Sequence, residues 1–489
     1  MKLHEKIFDL ALKRSFFYPS NEPYGSVSGF YDYGPVGSQI KYRIEELWRK
    51  MFIHEEGYLE VQSAIITPEI VLKASGHVDS FTDPIFECQK CHTKVRADSF
   101  ISDKVEGYMW DGKELAELDR KRDEHKLKCP KCGGDFNNAA RFNLMFATGM
   151  GGERAPAYCR PETAQGIFTA FPRLFRNHGT QLPLAIGQVG KSFRNEISPR
   201  KGLVRMREFT QMELEYFFDP QKPNIEKFSK ITDYTMRFKI NGEIKTLTAD
   251  ESVKTGIVPN EIFAYFLVKE WEFYKKVGID EQRMYFRVLG DDETPHYSKR
   301  NIDMEVETSF GIIETIGNAY RTDFDLSQHA KYSGENFTVT LDGRKFIPHV
   351  FEASLGVDRL FFCLLEHCFR EASAEKQWEW FDLPPIIAPY DVAVYPLMKK
   401  DGLDEKAKEI TNLLRKELNV LYSESGSIGK RYARADEIGV PYAVTIDYDT
   451  LNDNSVTIRY RNDGKQERVK IENILEKIKK NKENKKVIV

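Results

Sequence analysis

The stretch FRNEISPRKGLVRMREFTQMELEYFF, residues 193–218, decides the fold of this chain. Two runs that favour extended backbone flank a basic loop at residues 199–202, which predicts two β-strands joined by that loop. Successive side chains of a strand point to opposite faces, so Arg194 and Glu196 are expected to share one face of the first strand. The same rule groups five residues on one face of the second strand: Arg205, Arg207, Phe209, Gln211 and Glu213.

This predicted face carries guanidinium, aromatic and carboxylate groups. Guanidiniums bind phosphate oxygens through paired hydrogen bonds, and aromatic rings stack on flat bases. The face therefore suits a polyphosphate that carries a base, next to a small cation. The alternative is an antiparallel hairpin with a solvated, salt-bridged face. That alternative does not explain why Arg-x-Glu, a basic turn and Arg-x-x-x-Phe follow one another in this order.

The order of these features resembles motif 2 of the class II aminoacyl-tRNA synthetases. Residues 351–363, FEASLGVDRLFFC, resemble motif 3 of the same class. Alternation puts Glu352, Ser354 and Gly356 on one strand face, and Arg359 falls in the first turn of the helix that follows. Taken alone, Arg359 could equally be a capping contact at a strand–helix corner.

Residues 57–68 resemble motif 1, which forms much of the dimer interface in class II enzymes. The segment is a predicted strand that ends at Pro68 and follows a predicted amphipathic helix over residues 38–54. Any helix–strand unit that ends in proline fits this pattern, so it supports the resemblance only together with the other two motifs.

Within class II, the chain resembles the glycyl-tRNA synthetases of the homodimeric type along nearly its whole length. Several blocks in order carry this resemblance, and none would be specific alone. They are YDYGPVG (31–37), KASGH (73–77), RAD (96–98), FNLMF (142–146), RPETAQG (160–166), residues 193–215 and RTDFDL (321–326). The resemblance implies ATP-dependent ligation of glycine to tRNA(Gly) through a glycyl-adenylate, catalysed by positioning and by charge stabilisation.

The resemblance also implies roles for individual residues. ATP would bind bent on the sheet with Mg²⁺, and Glu314 beside Thr315 would hold ATP and the ion through oxygen ligands. Arg194, Glu196 and Arg359 are the implied catalytic residues, with Arg194 on the α-phosphate. The adenine would lie between Phe209 and Arg359, and Arg205 would reach the terminal phosphates. The further implied ATP-binding residues are Asn195, Val204, Met206, Arg207, Glu208 and Gly356.

Glycine offers no side chain to recognise, so its site must grip the ammonium group and fill the space that a larger amino acid would need. An ammonium group has three hydrogen-bond donors, and an excess of carboxylates suits it. The candidates are Glu162, Glu213 and Glu352, each of which could equally belong to a structural ion pair. The further residues implied for this site are Arg96, Phe209, Gln211 and Ser354.

Four of the seven cysteines form two Cys-x-x-Cys pairs, Cys88 with Cys91 and Cys129 with Cys132. Two such knuckles are typical of a structural zinc site with four cysteine ligands. An iron–sulfur centre and four unligated thiols are the alternatives. A closed site of this kind has no open coordination position, so it implies no catalytic role for zinc.

The prolines at residues 384–385 mark a domain boundary, because proline cannot continue a helix. Residues 1–383 would form the class II catalytic domain, an antiparallel sheet flanked by helices, which makes the chain an α+β protein. Two stretches of this domain look like insertions, the knuckle segment at about residues 88–135 and a helical segment at about residues 219–284. Residues 384–489 would form a mixed α/β domain that resembles the anticodon-binding domain of class II enzymes.

Inside the C-terminal domain, strands and helices are predicted to alternate. The predicted strands are 389–397, 419–423, 442–446 and 455–460, and the predicted helices are 404–418, 430–438 and a last one from Val469. Lys430, Arg431 and Arg434 would surround a helix start that could contact RNA, with an exposed basic helix as the alternative. The lysines of residues 477–486 are expected to be a solvated helix end, with a weak contact to the phosphate backbone as the alternative.

Composition narrows the class of protein. Hydrophobic residues make up 41% and charged residues 30% of 489 residues, as in ordinary soluble enzymes. The formal net charge of −3 gives no global basic field, so tRNA contacts must use local patches. The first residues are charged and amphipathic rather than a secretory signal, and no apolar run reaches about 20 residues. We therefore expect a cytoplasmic enzyme without disulfides.

Two alternatives to a glycine-specific enzyme stay open at this point. One is a related class II synthetase, specific for proline or threonine. The other is a non-catalytic, synthetase-like accessory protein that binds nucleic acid, which need not keep the residues that grip ATP. Residues 185–192, AIGQVGKS, also fit a relaxed phosphate-loop pattern, but a strand-like run follows where that loop needs a helix.

Overall fold

The computed structural model of the protein describes residues 2–105, 114–197, 199, 202–290, 293–295 and 297–483. Arg200 and Lys201 of the predicted basic loop, and Lys485 and Lys486 of the tail, lie outside the described residues. Among the residues that the structure describes, no helix combines the length and the apolar character needed to cross a membrane.

The helices of the described chain follow in sequence order. They are α1 (Leu3–Lys13), α2 (Pro35–Arg49), α3 (Glu69–Ala74), α4 (His77–Ser80), α5 (Ala97–Ser102), α6 (Leu115–Glu124), α7 (Ala164–Asn177), α8 (Ala249–Lys254), α9 (Glu261–Val277), α10 (Phe324–Ser333), α11 (Val357–Cys368), α12 (Leu403–Leu414), α13 (Ile428–Glu437), α14 (Thr450–Asp453) and α15 (Ile474–Glu483). The predicted helix over residues 38–54 is α2, continued by a π-helical turn at Lys50–His54.

The strands are numbered in the same way. They are β1 (Phe17–Pro19), β2 (Tyr31–Tyr33), β3 (Leu59–Glu60), β4 (Ile66–Pro68), β5 (Thr82–Glu87), β6 (Lys94–Arg96), β7 (Ala140–Asn143), β8 (Phe146–Met150), β9 (Ala155–Cys159), β10 (Leu184–Phe193), β11 (Glu208–Phe218), β12 (Thr235–Ile240), β13 (Glu243–Thr248), β14 (Met284–Val288), β15 (Ile302–Thr308), β16 (Gly311–Thr322), β17 (Val339–Leu341), β18 (Arg344–Phe346), β19 (His349–Gly356), β20 (Phe369–Arg370), β21 (Trp380–Phe381), β22 (Val392–Pro396), β23 (Val420–Tyr422), β24 (Tyr442–Ile446), β25 (Ser455–Tyr460) and β26 (Gln466–Lys470).

One large sheet organises the N-terminal part of the molecule. Its strand order is β13-β12-β14-β15-β16-β19-β11-β10-β3. Neighbouring strands run antiparallel except for two parallel pairs, β12 with β14 and β10 with β3. The predicted antiparallel sheet is therefore confirmed, and the stretch that opened the sequence argument supplies β11 and the last residue of β10, near one edge of the sheet.

Helix α9 covers one face of this sheet and makes that face dry. The Asn260 side chain caps its first turn by accepting a hydrogen bond from the Phe263 amide at 3.0 Å, and Gly278 ends it in a left-handed conformation. Nearly all of its side chains are buried, and Phe263 and Phe266 pack on Phe351 of β19 with ring centroids 4.7 and 4.9 Å apart. Polar side chains of the sheet must therefore collect on the opposite face.

The stretch of residues 219–284, predicted as a helical insertion, contributes more than helices. It contains α8 and α9, as predicted, but also β12 and β13, which extend the large sheet at one end. Its alternating run TMRFKI is too short to stand out from the helical patterns around it, so the sequence did not reveal these strands.

The C-terminal residues build a second sheet with its own core. Its strand order is β23-β22-β24-β25-β26, and β22 runs parallel to both β23 and β24. The predicted alternation of strands and helices is confirmed here with one correction. Val469 lies in β26, and the last helix starts only at Ile474. Residues 466–470 pair with β25 at the sheet edge and are mostly polar, so their pattern did not read as a strand.

Candidate active site

The two predicted strands joined by a loop are present as the antiparallel hairpin of β10 and β11, in which Ser192 lies opposite Phe209. Phe209, Gln211 and Glu213 lie on one face of β11, as predicted. The predicted faces of the arginines need correction, because β10 ends at Phe193 and β11 begins at Glu208. The loop between the two strands carries Arg194, Glu196, Arg205 and Arg207. Its backbone hydrogen bonds lie outside the regular strand pairing; for example, the Arg194 amide donates to the Arg207 carbonyl at 2.9 Å.

The polar face of the large sheet carries two rows of side chains that cross β11, β19 and β16. In one row Glu213, Ser354 and Gly317 are direct neighbours. In the next row Glu215, Glu352 and Ala319 are direct neighbours. Gly317 has no side chain and leaves room above the sheet, and this room is part of a cavity.

That cavity has a volume of about 410 Å³ and gathers most of the predicted site residues. Those that line it are Glu162, Arg194, Glu196, Val204, Arg205, Met206, Phe209, Gln211, Glu213, Glu314, Thr315, Glu352, Ser354, Gly356 and Arg359. A second cavity of about 970 Å³ adjoins it, and both are lined by Arg194, Glu196, Val204, Arg205, Glu314 and Arg359. Arginines from two distant parts of the chain thus face one space.

Four predicted site residues lie elsewhere. Arg207 donates to the backbone carbonyls of Glu196 and Ser28, and Glu208 pairs with Lys191 at 3.1 Å. Asn195 donates its backbone amide to the Leu144 carbonyl, and its side chain lines neither cavity. Arg96 lines only the larger cavity. Its guanidinium binds both oxygens of Asp98 and one of Asp83, away from the cavity that holds Glu213.

Arg194 and Arg359 occupy different places around Phe209. The Arg194 guanidinium lies 5.3 Å from the ring centre of Phe209 and 5.4 Å from that of Phe81. Arg359, in the first turn of α11 as predicted, donates to the carbonyls of Glu314 at 2.7 Å and Val204 at 3.2 Å. Phe209 is partly exposed in the same cavity, so its ring is open to a flat ligand rather than sealed in the core.

The motif-3 helix α11 is fixed to the hairpin through Asp358. One carboxylate oxygen of Asp358 accepts from the Thr210 amide and the other from the Tyr33 hydroxyl, each at 2.6 Å. Lys41 donates to the Thr210 hydroxyl at 2.8 Å. The segment YDYGPVG and helix α2 therefore hold the base of α11, and with it Arg359.

Glu213 sits at the floor of the smaller cavity and accepts three hydrogen bonds. The donors are Gln211 Nε2 at 2.7 Å, the Ser354 hydroxyl at 2.5 Å and the Thr163 hydroxyl. Burial, together with nearby Glu162, raises the pKa of Glu213. The Glu213 carboxylate is therefore both fixed in place and short of a positive partner.

Glu162 and Glu352 complete a group of carboxylates around the same space. Glu162 lies 3.5 Å from His77 and accepts a hydrogen bond from Gln165 at 2.8 Å. Burial tends to raise the pKa of Glu162, but the nearby His77 and Arg321 outweigh burial and lower it. Glu352 accepts a hydrogen bond from Arg321. Burial nevertheless raises the pKa of Glu352 to about 8, although the charge of Arg321 acts to lower it. The surplus of acceptors suits a small cation with several N–H donors.

Sequence reasoning missed Arg321 and its partners. Arg321 is almost fully buried, binds both oxygens of Asp325 at 2.7 and 2.9 Å, and lies 4.3 Å from the ring centre of Tyr297. Arg321 and Asp325 belong to the block RTDFDL, and Thr163 belongs to RPETAQG. Both blocks carry the family resemblance, so these polar residues could have been proposed as site residues. Glu215 simply continues the alternation of Gln211 and Glu213 along β11.

The end of the cavity near Glu314 carries further acceptors. Asp303 of β15 and Asn301 line it, and one side-chain oxygen of each has no hydrogen-bond partner among the described residues. Burial and the charge of Glu314 raise the pKa of Asp303 to about 8. This end therefore suits hydroxyl donors or a cation.

The four predicted cysteine ligands come together in a small lobe built on β5, β6 and β7. Their Sγ atoms lie within 4.8 Å of one another, with Cys88 and Cys132 3.5 Å apart and Cys91 and Cys129 3.6 Å apart. Gly134 closes the second knuckle, since a Cβ there would lie only 3.2 Å from Cys88 Sγ and 3.3 Å from Cys132 Sγ. The arrangement fits one tetrahedral ion. Pro130 of this lobe lines the larger cavity.

Comparison with family models identifies two regions. Residues 146–368 match the model "tRNA synthetase class II core domain (G, H, P, S and T)", and residues 391–481 match the model "Anticodon binding domain". The chain is also similar to a solved structure of a prolyl-tRNA synthetase from Cryptosporidium parvum in complex with halofuginone and AMPPNP. The TM-score is 0.60, with 13% identity over 98% of this chain and 75% of that one. At this identity the likeness concerns the fold alone.

Similarity to curated proteins is higher and extends over the whole chain. A protein named glycine–tRNA ligase from Methanocaldococcus jannaschii is 38% identical over 98% of each chain. Relatives of the same name from Pyrococcus furiosus and Methanothrix thermoacetophila are 38% and 37% identical, and cover 97% and 96% of this chain and 98% and 95% of their own.

Proposed function

Because this chain belongs to the glycine–tRNA ligase family, we propose that its smaller cavity joins glycine to ATP and that the resulting glycyl-adenylate is passed to tRNA(Gly). The observation that carries the proposal is the shared cavity of Arg194, Phe209, Glu213 and Arg359. It offers arginines and an aromatic ring at one end, which suit ATP, and a surplus of carboxylates at the other, which suits an ammonium group.

In the first step ATP lies bent across the sheet, with its adenine against Phe209 and beside Arg359. Arg194, 5.3 Å from the Phe209 ring centre, is placed to hold the α-phosphate and the glycine carboxylate together. A carboxylate oxygen of glycine attacks the α-phosphorus, the bond from that phosphorus to the bridging oxygen breaks, and pyrophosphate leaves. Arg205 can bind the departing phosphates, since it lines both cavities.

Glycine is held by its ammonium group between Glu162, Glu213 and Glu352. In the second step a ribose hydroxyl at the 3′ end of tRNA attacks the glycyl carbonyl, and AMP leaves with the electrons of the broken acyl–phosphate bond. No side chain forms a covalent bond to substrate, so positioning and charge stabilisation carry the catalysis. Arg96, in the larger cavity, is assigned to the approach of the tRNA end rather than to glycine.

Mg²⁺ belongs to the ATP substrate, and Glu314 with Thr315 would hold it. When bound, the ion neutralises charge on the phosphates and orients them. Both residues line the smaller cavity next to Arg359, which supports this assignment.

We propose that the four cysteines bind a structural Zn²⁺. Their spacing in the sequence and the gathering of their Sγ atoms within 4.8 Å support this assignment. Zinc would hold the lobe that forms part of the wall of the larger cavity. Iron–sulfur chemistry and free thiols are the outcomes that metal analysis would distinguish.

We propose a homodimer and a division into residues 1–383 and 384–489. The segment that resembles motif 1 leaves the large apolar side chains of Ile65 and Ile66 exposed, and Ile70 just after it is exposed too, as expected for a surface covered by a second copy. The C-terminal part has its own sheet and core, which supports the anticodon-binding role. Light scattering of the purified protein would measure the dimer.

We also propose a cytoplasmic location, where its tRNA and ATP substrates meet.

ATP–pyrophosphate exchange with each standard amino acid in turn tests the proposed function. Glycine should support exchange, and alanine, serine, proline and threonine should not. Exchange with proline or threonine would instead assign a related synthetase. ATP binding that is unchanged by Arg194→Ala, without any exchange, would assign a non-catalytic accessory protein.

A further inference from the structure

Glu215 is the most thoroughly buried acidic residue next to the glycine site, and nothing in the proposed reaction uses it. Its side chain is wholly inaccessible to solvent. Neither carboxylate oxygen has a hydrogen-bond partner among the described residues. An ionised carboxylate without donors is costly to bury, so this residue requires an explanation.

Its position on the sheet is specific. Glu215 lies directly opposite Glu352 on the neighbouring strand, with side chains on the same face. Such directly opposed pairs have Cβ atoms about 5 Å apart. Glu352 is one of the residues proposed to bind the ammonium group of glycine, and it lines the smaller cavity. Glu215 lines neither cavity.

Five carboxyl groups share this region with few cations: Glu162, Glu213, Glu215, Asp325 and Glu352. The guanidinium of Arg321 is buried among them, the buried guanidinium of Arg160 lies near Glu213, and His77 lies 3.5 Å from Glu162. One bound glycine ammonium would add a single further positive charge. Holding all five groups ionised in one buried region would leave uncompensated charge, so at least one must carry a proton.

The hydrogen-bond donors decide which group that is. Glu162 accepts from Gln165, Glu213 accepts from three donors, and Asp325 and Glu352 accept from Arg321. Only Glu215, among these five described residues, receives no donor. A proton on its own carboxyl group supplies the missing hydrogen bond, with Glu352 as the facing acceptor.

We propose that Glu215 is a positioning residue that stays protonated and donates a hydrogen bond to Glu352, which fixes the Glu352 carboxylate for the ammonium group of glycine. The proposal rests on the proposed function, since it concerns the glycine site. It makes Glu215 and Glu352 a proton-sharing pair of which only one member touches substrate.

The charges that face Glu215 agree with this protonation state. Burial raises its pKa well above the usual range, and Glu352 on β19 adds to the effect. Arg321 on β16 opposes it, whereas Glu213 on β11 and Asp325 on α10 raise it further. Ile186 of β10, which lies directly opposite Glu215 on its other side, is apolar. Because the pKa in the folded state lies above the unfolded value, the neutral form stabilises the fold at low pH, and this contribution is lost as pH rises.

The test compares Glu215→Gln, Glu215→Leu and a control, Glu270→Gln. Glutamine copies a protonated glutamate in shape and can donate to Glu352, whereas leucine fills the space without a donor. Glu270 is also a buried glutamate with a raised pKa of about 8, but it lies on α9, on the other side of the sheet. Each variant is assayed in the full-length protein by glycine-dependent exchange and by thermal unfolding between about pH 6 and pH 8.5.

Glu215→Gln should keep KM for glycine within about twofold of the original value, and Glu215→Leu should raise it about tenfold with KM for ATP unchanged. The difference in Tm, Glu215→Gln minus the original protein, should become larger as the pH rises. Glu270→Gln should show the same trend in Tm and no change in either KM.

Two results would overturn the proposal. One is a rise in KM for glycine in Glu215→Gln as large as in Glu215→Leu, because an ionised Glu215 would then be required. The other is a Tm difference for Glu215→Gln that does not change with pH. A failure of the proposed function is distinguishable, since the unsubstituted protein would then show no glycine-dependent exchange, while the Tm measurement would still report on Glu215.

Discussion

Arg359 illustrates how a single side chain acquires a role from its place in the fold. The sequence left open whether it is a capping residue or a ligand-binding residue. In the structure it donates to the carbonyls of Glu314 and Val204, so it does anchor neighbouring backbone. It also remains over a third exposed, at 38% for the side chain, and it lines both cavities. The anchoring contacts are therefore compatible with the proposed contact between Arg359 and ATP.

Arg359→Ala should lower glycine-dependent ATP–pyrophosphate exchange by about 100- to 1,000-fold, because a cation that stabilises developing charge is lost. Its partly exposed position predicts a change in unfolding free energy below about 1 kcal/mol. Arg176→Ala, an exposed arginine on α7, is the matched control and should leave exchange intact. Exchange at the original rate in Arg359→Ala would remove this residue from the mechanism.

Glu213→Gln should raise KM for glycine about 10- to 100-fold, because an ammonium group loses a charge-assisted hydrogen bond. KM for ATP should change little, since Glu213 lies at the opposite end of the cavity from Phe209. Steady-state exchange kinetics measure both constants. Glu243→Gln, at an exposed glutamate on β13, serves as the control. Equal losses for glycine and ATP would argue against a glycine-specific role for Glu213.

At the scale of the element, the lobe with the four cysteines joins two knuckles that are far apart in sequence. Its own apolar core is small and includes Cys88 and Cys129 themselves. A core of this size gains little stability from burial, so a bound ion is expected to contribute much of it.

Cys132→Ser should reduce zinc content from about one ion per chain to near zero, because three thiolates hold the ion less tightly than four. Elemental analysis of the purified protein measures this. Exchange activity should also fall, since Pro130 of the same lobe lines the larger cavity. Cys159→Ser, outside the cluster, should retain its metal. Purified original protein without any metal would eliminate the zinc assignment.

Helix α9 offers a pH-dependent test of the dry face of the sheet. Burial raises the pKa of Glu270 to about 8, while Asn318 donates a single hydrogen bond to it at 2.9 Å. Because this pKa lies above the unfolded value, the stability contributed by the neutral form is complete below about pH 4.5 and is lost as pH approaches 8.

Glu270→Gln should therefore be more stable than the original protein near pH 8, with a difference that shrinks toward pH 5. Denaturant unfolding at several pH values measures this. A variant that is less stable at every pH would show that the ionised carboxylate is needed at this position.

At the scale of the whole molecule, buried charges connect residues 376–382 to the C-terminal domain. Asp436 on α13 binds Arg459 through two contacts of 2.9 and 3.1 Å and Lys376 at 3.1 Å. Lys376 in turn lies 3.8 Å from the ring centre of Trp380. Arg461 binds Asp382 at 2.8 Å. These contacts tie residues on both sides of the predicted boundary at 384–385.

Asp436→Asn should lower the free energy of unfolding by about 3 kcal/mol, because it leaves two buried cations without a full partner. Urea denaturation followed by circular dichroism measures the change. Asp463→Asn is the control, since its pair with Lys465 lies at the surface and is worth less than about 1 kcal/mol. Similar effects in both variants would show that the buried network does not stabilise the molecule.

The sequence by itself determined the strands of the hairpin, the order of the C-terminal elements, the cysteine cluster and most residues of the cavity. The strands, the C-terminal elements and the cysteine cluster follow from local patterns of alternation, spacing and turn residues, whereas most residues of the cavity came from the resemblance of sequence blocks to the class II synthetases. The strand β26 and the exact places of Arg194 and Arg205 escaped, because polar edge strands and loops lack a period.

Only the tertiary structure decided which hydrogen-bond donors each carboxylate of the site receives. Glu213 and Ser354 are 141 residues apart in the chain, and the sheet places them opposite each other. The same register puts Glu215 behind Glu352 and leaves it without a donor. Protonation in a buried cluster depends on distances between residues that are remote in sequence, and no local pattern encodes those distances.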